Sequence, residues 1–283
     1  MSRSIRLALA VAAVAFGAIA VPAQAAPVKP VRIVSLSPTA TEDLFAIGAG
    51  KQVIAVDDQS NYPASAPKTK LSGFKPNVEA IAKYRPDLVV IATDTNKLAA
   101  KLKALKIRVL IQPAAANLDQ VYAQLAQLGA ATGHTSKARK LVTSMRSRIA
   151  AIVAAVPKRA TPLSYYHELD PTFYSVTSST FIGKIYGLLG LTNIADDAAG
   201  ADSGYPQLSS EAIVAKNPSL IFLADTKCCQ VDAAAVSARA GWANIAAVKD
   251  GGIVALDDDV ASRWGPRVVA FVKVVADRVA ATR

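Results

Sequence analysis

Residues 79–92, EAIAKYRPDLVVIA, return 132 positions later as residues 211–224, EAIVAKNPSLIFLA, with six of the fourteen positions identical. Each copy reads as a short helix, a proline-containing turn and an apolar strand. A helix-capping residue stands before each, Asn77 in one and Ser209 in the other. Ala, Leu and Pro are common enough to coincide by chance between two helix–strand units. Glu79 matched to Glu211, with Pro86 matched to Pro218 in register, favours a pseudo-duplicated lobe.

Outward from the first copy, strand and helix signals alternate. Val31–Leu36, Val53–Val56, Leu88–Ala92 and Val109–Ile111 read as strands, and Ser37-Pro38 as a helix cap with proline at the first helical position. Such a rhythm implies a mostly parallel sheet with helices on both faces. Ser136–Val156 holds no Gly or Pro and sets Leu141, Val142, Met145, Ile149, Ile152 and Val153 at helical spacing. At 1.5 Å per residue this helix is ~30 Å long, about one small-domain diameter. After Pro157 the α/β rhythm restarts at Pro162–Tyr166. The expected fold is therefore α/β, with two Rossmann-like lobes joined by a single long helix. Its divisions are a signal peptide over 1–25, an N-terminal lobe over 26–135, a linker helix over 136–156 and a C-terminal lobe over 157–283.

The first segment carries Arg3 and Arg6, an apolar run Leu7–Val21 and the small residues of Ala23-Gln24-Ala25. That order is a secretory signal peptide, and the run falls short of the ~20 residues that span a bilayer core. No cysteine follows it to carry a lipid anchor, so the expected product is periplasmic or secreted and soluble after cleavage. The chain is basic, with 32 Lys+Arg against 21 Asp+Glu. Export disfavours nucleic acid as the partner, and Lys97, Lys101, Lys103, Lys106 and Arg108 are spaced as a solvated helix face. An apolar fraction of 52% with 19% charged residues provides for buried cores. Cys228 and Cys229 are the only cysteines and are adjacent; export favours a vicinal disulfide, with a free or partner-bound pair as the alternative.

Catalytic patterns are thin. The chain has no glycine-rich phosphate loop, no G-x-S-x-G elbow and no H-E-x-x-H, and its two histidines, His134 and His167, cannot build a multi-histidine metal site. No catalytic residue, metal site or cofactor is assigned. His167-Glu168-Leu169-Asp170 reads as a solvated loop, with a cleft-facing polar patch as the alternative. Tyr62, Phe74, Phe173, Tyr174 and Trp264 fall after strands or in connections, where a parallel sheet presents its ligand crevice. With Arg263 and Arg267 they suit a large, ring-rich, partly anionic ligand. Glu79 and Glu211 read either as helix-dipole partners or as a pair of exposed docking carboxylates, one per lobe.

Arg32-Ile33-Val34-Ser35-Leu36-Ser37-Pro38-Thr39-Ala40-Thr41-Glu42, Tyr62-Pro63, Asn77-Val78-Glu79-Ala80-Ile81, Arg85-Pro86-Asp87-Leu88-Val89, Tyr205-Pro206-Gln207-Leu208-Ser209-Ser210-Glu211 and Arg263-Trp264-Gly265-Pro266-Arg267 run in order along nearly the whole chain. In these segments it resembles the iron-siderophore/cobalamin class of periplasmic binding proteins, close in pattern to the vitamin B12-binding members. The resemblance implies that a bulky metal chelate, cobalamin or a ferric siderophore, is held between the lobes. It also implies delivery to an ABC permease dimer with its ATPase, Glu79 and Glu211 engaging arginines of the two permease subunits, with no other membrane contact. Tyr62, Phe74, Phe173 or Tyr174, and Trp264 with Arg263 fall near the cleft-lining positions of that class. An exported haem-binding protein, with His167 or a cleft tyrosine on the iron, and an exported α/β enzyme acting on a metal chelate are the alternatives. Cys228-Cys229 departs from the pattern.

Overall fold

Runs of Val, Ile and Leu that are apolar on both faces can only be strands covered on both sides, and the chain supplies two sets of them. The computed structural model describes residue 30 and residues 32–282, so the expected signal peptide lies outside the described residues. The first set comprises β1 (Ile33–Leu36), α1 (Pro38–Ala46), β2 (Val53–Val56), α2 (Val78–Ala82), β3 (Leu88–Ile91), α3 (Leu98–Ala104), β4 (Arg108–Ile111) and α4 (Leu118–Thr132). After α5 (Thr135–Ala155) the second comprises β5 (Ser164–Glu168), α6 (Phe181–Leu188), β6 (Thr192–Asn193), α7 (Ser210–Lys216), β7 (Leu220–Leu223), α8 (Ala233–Ser237), α9 (Ala246–Lys249), β8 (Ile253–Ala255), α10 (Asp258–Ser262) and α11 (Val268–Ala281).

Both sheets are parallel, ordered β2-β1-β3-β4 and β6-β5-β7-β8. Counted from the first strand of each lobe, the two orders are the same. The sequence repeat is α2–β3 in one lobe and α7–β7 in the other, with Ile81 and Ile213 both fully buried under their sheets. Asn77 Oδ1 accepts from Ala80 N at 2.8 Å and Ser209 Oγ from Ala212 N at 3.1 Å, so the two helices start on the same cap.

α4 and α5 form a hairpin through Gly133, whose φ of +79° ends α4 in the left-handed conformation. Gly129 lets the two helices touch, because a Cβ there would stand 2.4 Å from the Ala138 methyl. α11 lies along α5. Its end is held by Arg159, whose Nη2 donates to Val279 O at 3.0 Å and to Thr282 O. One hydrophobic core, including Ile33, Leu44, Leu125, Met145, Ile149, Tyr186, Phe222, Phe271 and Val275, runs from one sheet across these helices to the other.

The segment read as a solvated loop, His167-Glu168, instead completes β5, and both residues are fully buried. Strand alternation sends them to opposite faces. His167 joins Tyr165, packing by Tyr186, whose hydroxyl lies 2.8 Å from His167 Nδ1; burial lowers the His167 pKa to about 3 and keeps the ring neutral. Glu168 takes both Arg239 Nη atoms at 2.6 Å, and the guanidinium lies over the Trp242 and Phe173 rings at 4.6 and 5.2 Å. The sequence reading missed this because the partner is 71 residues away. Beside it, neither carboxyl oxygen of the fully buried Asp225 meets a hydrogen-bond partner. Burial first, and the neighbouring Glu168 second, push its pKa up to about 7.

A carboxyl raised in this way favours folding while protonated, so its contribution is full below pH ~4 and is lost as pH rises through about 7. His167 has the opposite sign, because a depressed imidazole loses stability toward acid. Asp225→Asn therefore isolates the carboxyl: the stability gap between the variant and the parent should move in the variant's favour from pH 5 to pH 8 in denaturant titrations. A gap that stays constant over that range rules out titration of Asp225.

Candidate functional site

The strands of each lobe point their C-terminal ends at the opposite lobe, and the loops leaving those ends form a cleft. Two cavities of about 630 and about 300 Å³ occupy it and share Ser262 and Trp264 as a common wall. From the N-terminal lobe come Ser37–Thr39 after β1, Asp57 and Gln59 after β2, Gly73-Phe74, Ala92, Thr93 and Thr95 after β3 and Ala114–Ala116 after β4. Ser179–Ile182, Asp202–Tyr205 and Asp258–Trp264 face them. Gly73 permits the Phe74 loop to close on the sheet, since a Cβ there would stand 2.8 Å from Leu36 O and 2.9 Å from Asp57 Oδ2. Phe74 is 78% exposed and Tyr205 50%, so large rings stand unburied at the mouth. A larger cavity of about 960 Å³ lies beside the cleft among α4, α5 and α6, lined mainly by Tyr122, Ile149, Val153, Phe181 and Leu188. Its one acidic group among the described lining residues is Asp119, paired with Arg146 at 2.8 Å, and no strand end borders it.

Of the residues singled out from sequence, Phe74, Arg263 and Trp264 line the cleft. Tyr62 stands next to it, its ring 4.3 Å from the Arg267 guanidinium. Phe173 is placed elsewhere. The turn that closes with Phe173 N donating to Asp170 O at 3.1 Å sends its ring onto Trp242, in the C-terminal lobe core. Tyr174 is 41% exposed, with its backbone bridged to Gln207, and neither residue is among those lining the two cavities. Tyr205 was passed over in the sequence. Its signal was the Tyr-Pro pair at 205–206, which matches Tyr62-Pro63 in the other lobe.

The two arginines are not free to meet a ligand. Arg263 Nη1 donates to Glu42 Oε1 at 2.9 Å and Asn61 Oδ1 at 2.8 Å, and Nη2 to Asp259 Oδ1 at 2.7 Å and Gln59 O at 3.1 Å. Arg267 Nε donates to Glu42 Oε2 at 2.8 Å and Nη2 to Glu42 Oε1 at 2.5 Å. The Glu42 side chain is 1% exposed. Its neighbour Asp43 is driven well above the ordinary carboxylate range by burial and by the Glu42 charge. Expectation and structure differ here: the arginines hold Trp264 in the wall between them rather than presenting charge to the cleft.

Cys228 and Cys229 are disulfide-bonded to each other in the loop after β7. Thr226, Lys227 and Cys228 each donate their N–H to the Asp258 carboxylate, which ties that loop to the cleft wall. Glu79 and Glu211 both occupy the second position of their helices and both are exposed. A helix that feeds a parallel strand runs back from the sheet's C-terminal edge, so both glutamates stand at the cleft-side face of their lobes. Hydrogen bonds from its own N–H and from Ser209 hold the Glu211 carboxyl below its ordinary range.

The periplasmic binding protein family model matches residues 33–260. An uncharacterised ABC transporter substrate-binding lipoprotein of Bacillus subtilis is 32% identical over 260 residues, covering 89% of this chain and 80% of that protein. A cobalamin-binding protein of Halobacterium salinarum is 34% identical over 251 residues, covering 85% and 67% respectively. Among solved structures, the periplasmic vitamin B12-binding protein of Vibrio cholerae superposes with a TM-score of 0.72 at 25% identity, over 88% of this chain and 96% of that one.

Removing the buried carboxylate would take from Arg267 the acceptor that its Nε and Nη2 share and leave Arg263 with Asn61, Asp259 and the Gln59 carbonyl. Glu42→Ala should lower unfolding free energy by about 3–5 kcal/mol in urea titrations. A loss under about 1 kcal/mol would place the ion triad among interactions that solvent already screens.

Proposed function

The chain belongs to the periplasmic binding protein family, and from that premise we propose that it is the solute-binding component of an ABC importer, capturing a bulky metal chelate for delivery to a membrane permease. The observation that carries the reading is the cleft between two lobes of identical strand order, walled by Phe74, Trp264 and Tyr205. Flat rings with hydroxyls and carboxylates between them suit a large ligand with a planar or ring-rich body. Cobalamin is the first candidate and a ferric siderophore the second. His167 cannot serve a haem iron, being fully buried with Nδ1 engaged by Tyr186. The protein binds without catalysis: of its two histidines, one is locked in the core and the other, His134, is half-buried with Nδ1 3.0 Å from Thr132 O, away from the cleft.

The division is an N-terminal lobe over 26–135, a linker over 136–156 and a C-terminal lobe over 157–283, exported by a signal peptide over 1–25. The helices between the lobes set their spacing, and Glu79 and Glu211 dock the loaded protein on a permease dimer coupled to its ATPase.

Two experiments test this. Trp242 is fully buried and Trp264 stands in the cleft wall, so ligand-dependent quenching of intrinsic fluorescence should come from Trp264. Titration with cyanocobalamin, ferric siderophores and haemin should quench the parent, and Trp264→Ala should bind about tenfold or more weakly, ~1.4 kcal/mol, with little change in Tm. Unchanged affinity removes Trp264 from the binding surface. Charge reversal at both Glu79 and Glu211 should abolish uptake while leaving affinity intact, and one reversal should give an intermediate defect, since loss of a desolvated interface charge costs ~2–5 kcal/mol. Normal uptake by the double variant, or loss of its affinity in solution, returns both glutamates to a helix-capping role.

A further inference from the structure

We infer that the cleft selects its ligand by charge, accepting a neutral or cationic chelate rich in N–H donors and turning away anionic chelates of similar size. This rests on the binding reading above and narrows it. Among the described residues lining the two cavities, Arg263 is the only basic one, against Asp57, Asp202, Asp258 and Asp259. Burial raises the Asp57 carboxyl above its ordinary range, and the balance stays acidic with that group neutral.

Arg263 offers no fork to an incoming anion. Its two Nη atoms already donate to Glu42, Asn61, Asp259 and the Gln59 carbonyl, so bidentate capture of a carboxylate or catecholate would first have to break these bonds. Arg267 lies behind it, gripped by Glu42 and covered by the Tyr62 ring. Lys227 is the next cation beside the wall, and its Nζ is held by Asp257 at 2.7 Å and Asp259 at 3.2 Å. The remaining polar side chains of the described lining are hydroxyls, such as those of Thr39, Thr93, Ser203 and Ser262, and the Gln59 amide.

Such a wall accepts hydrogen bonds more readily than it gives them. Asp258 is taken up by the Thr226, Lys227 and Cys228 N–H groups and Asp259 by Arg263 and Lys227, so a chelate edged with amide or other N–H groups would find its charge-assisted acceptor in the exposed Asp202. A chelate edged with phenolate or carboxylate oxygens would meet the acidic excess of this wall at short range. The rejecting element is thus built into the binding wall, which is how specificity between ligands of one shape is reached.

The test is a titration of the purified exported form with four probes: cyanocobalamin and a ferric trihydroxamate as uncharged chelates, a ferric tris-catecholate and haemin as anionic ones. The tightest uncharged probe should bind about a hundredfold or more tightly than either anionic probe. Asp202 is exposed, so Asp202→Arg places an unpaired guanidinium in the lining without a folding penalty. This variant should bind the tris-catecholate about tenfold or more tightly than the parent does, with a smaller change for the uncharged probe. An anionic probe that binds the parent within about tenfold of the best uncharged one overturns the inference and leaves the binding reading standing. An Asp202→Arg protein no better than the parent for the tris-catecholate assigns the rejection to shape and also overturns it. Should no probe of either charge bind, the binding reading itself falls.

Discussion

The Glu42 carboxylate ties the end of the chain to its beginning, across more than two hundred residues of sequence. Both of its oxygens are occupied by guanidinia, and burial raises the neighbouring Asp43 carboxyl well above its ordinary range. Gly265 lies between those cations, and a Cβ there would stand 3.3 Å from Asp43 Oδ1. A side chain at that position would crowd the Asp43 carboxyl, so glycine lets the loop lie close against α1. Two consequences follow. Trp264 is fixed in the cleft wall, and α11 starts beside α1 and runs along α5 to the Arg159 anchor. The lobes are thus connected covalently by one helix and mechanically by two.

The second lobe uses the same device in a different place. Glu168 at the end of β5 is fully buried and takes both Nη atoms of Arg239, which is flattened between Phe173 and Trp242. A bidentate guanidinium–carboxylate pair fixes orientation as well as distance, whereas an apolar contact permits sliding. Each lobe therefore has a rigid ion-paired post near the strand ends that border the cleft. Between the posts, the wall formed by α10 is stitched by Asp258 to the loop carrying the vicinal disulfide.

Much of this architecture was legible in the sequence because its determinants are local. Ser37-Pro38, Asn77 and Ser209 each cap a helix where the residues said they would, and the long helix read over Ser136–Val156 is α5 over Thr135–Ala155. Caps and apolar periods are fixed by neighbours within a few positions. Pairings between distant residues are written nowhere in that pattern. His167-Glu168 looked like a polar loop because Tyr186 and Arg239, which make their burial tolerable, lie 19 and 71 positions away. Trp242 and Trp264 each adjoin a glycine in a short connection, yet one is core and the other lines the cleft. Arg263 and Arg267 were recognised as belonging to the site, but their roles depended on Glu42, which no local rule singles out.

The chain's overall charge illustrates the same separation of scales. Part of its basic excess sits on the outward face of α3 and the turn after it, where Lys101, Lys103 and Lys106 are exposed. At physiological ionic strength the Debye length is about 8 Å, so charges there contribute little inside a cleft on the other side of a sheet. The field a ligand meets is set by the few groups within that distance. Among the described residues lining the two cavities these are Asp57, Asp202, Asp258 and Asp259 against Arg263, which is itself paired with Asp259 and with Glu42. A basic protein can in this way hold an acidic binding site, because the net charge of a sequence counts residues, whereas recognition depends on which of them are left unpaired at the wall.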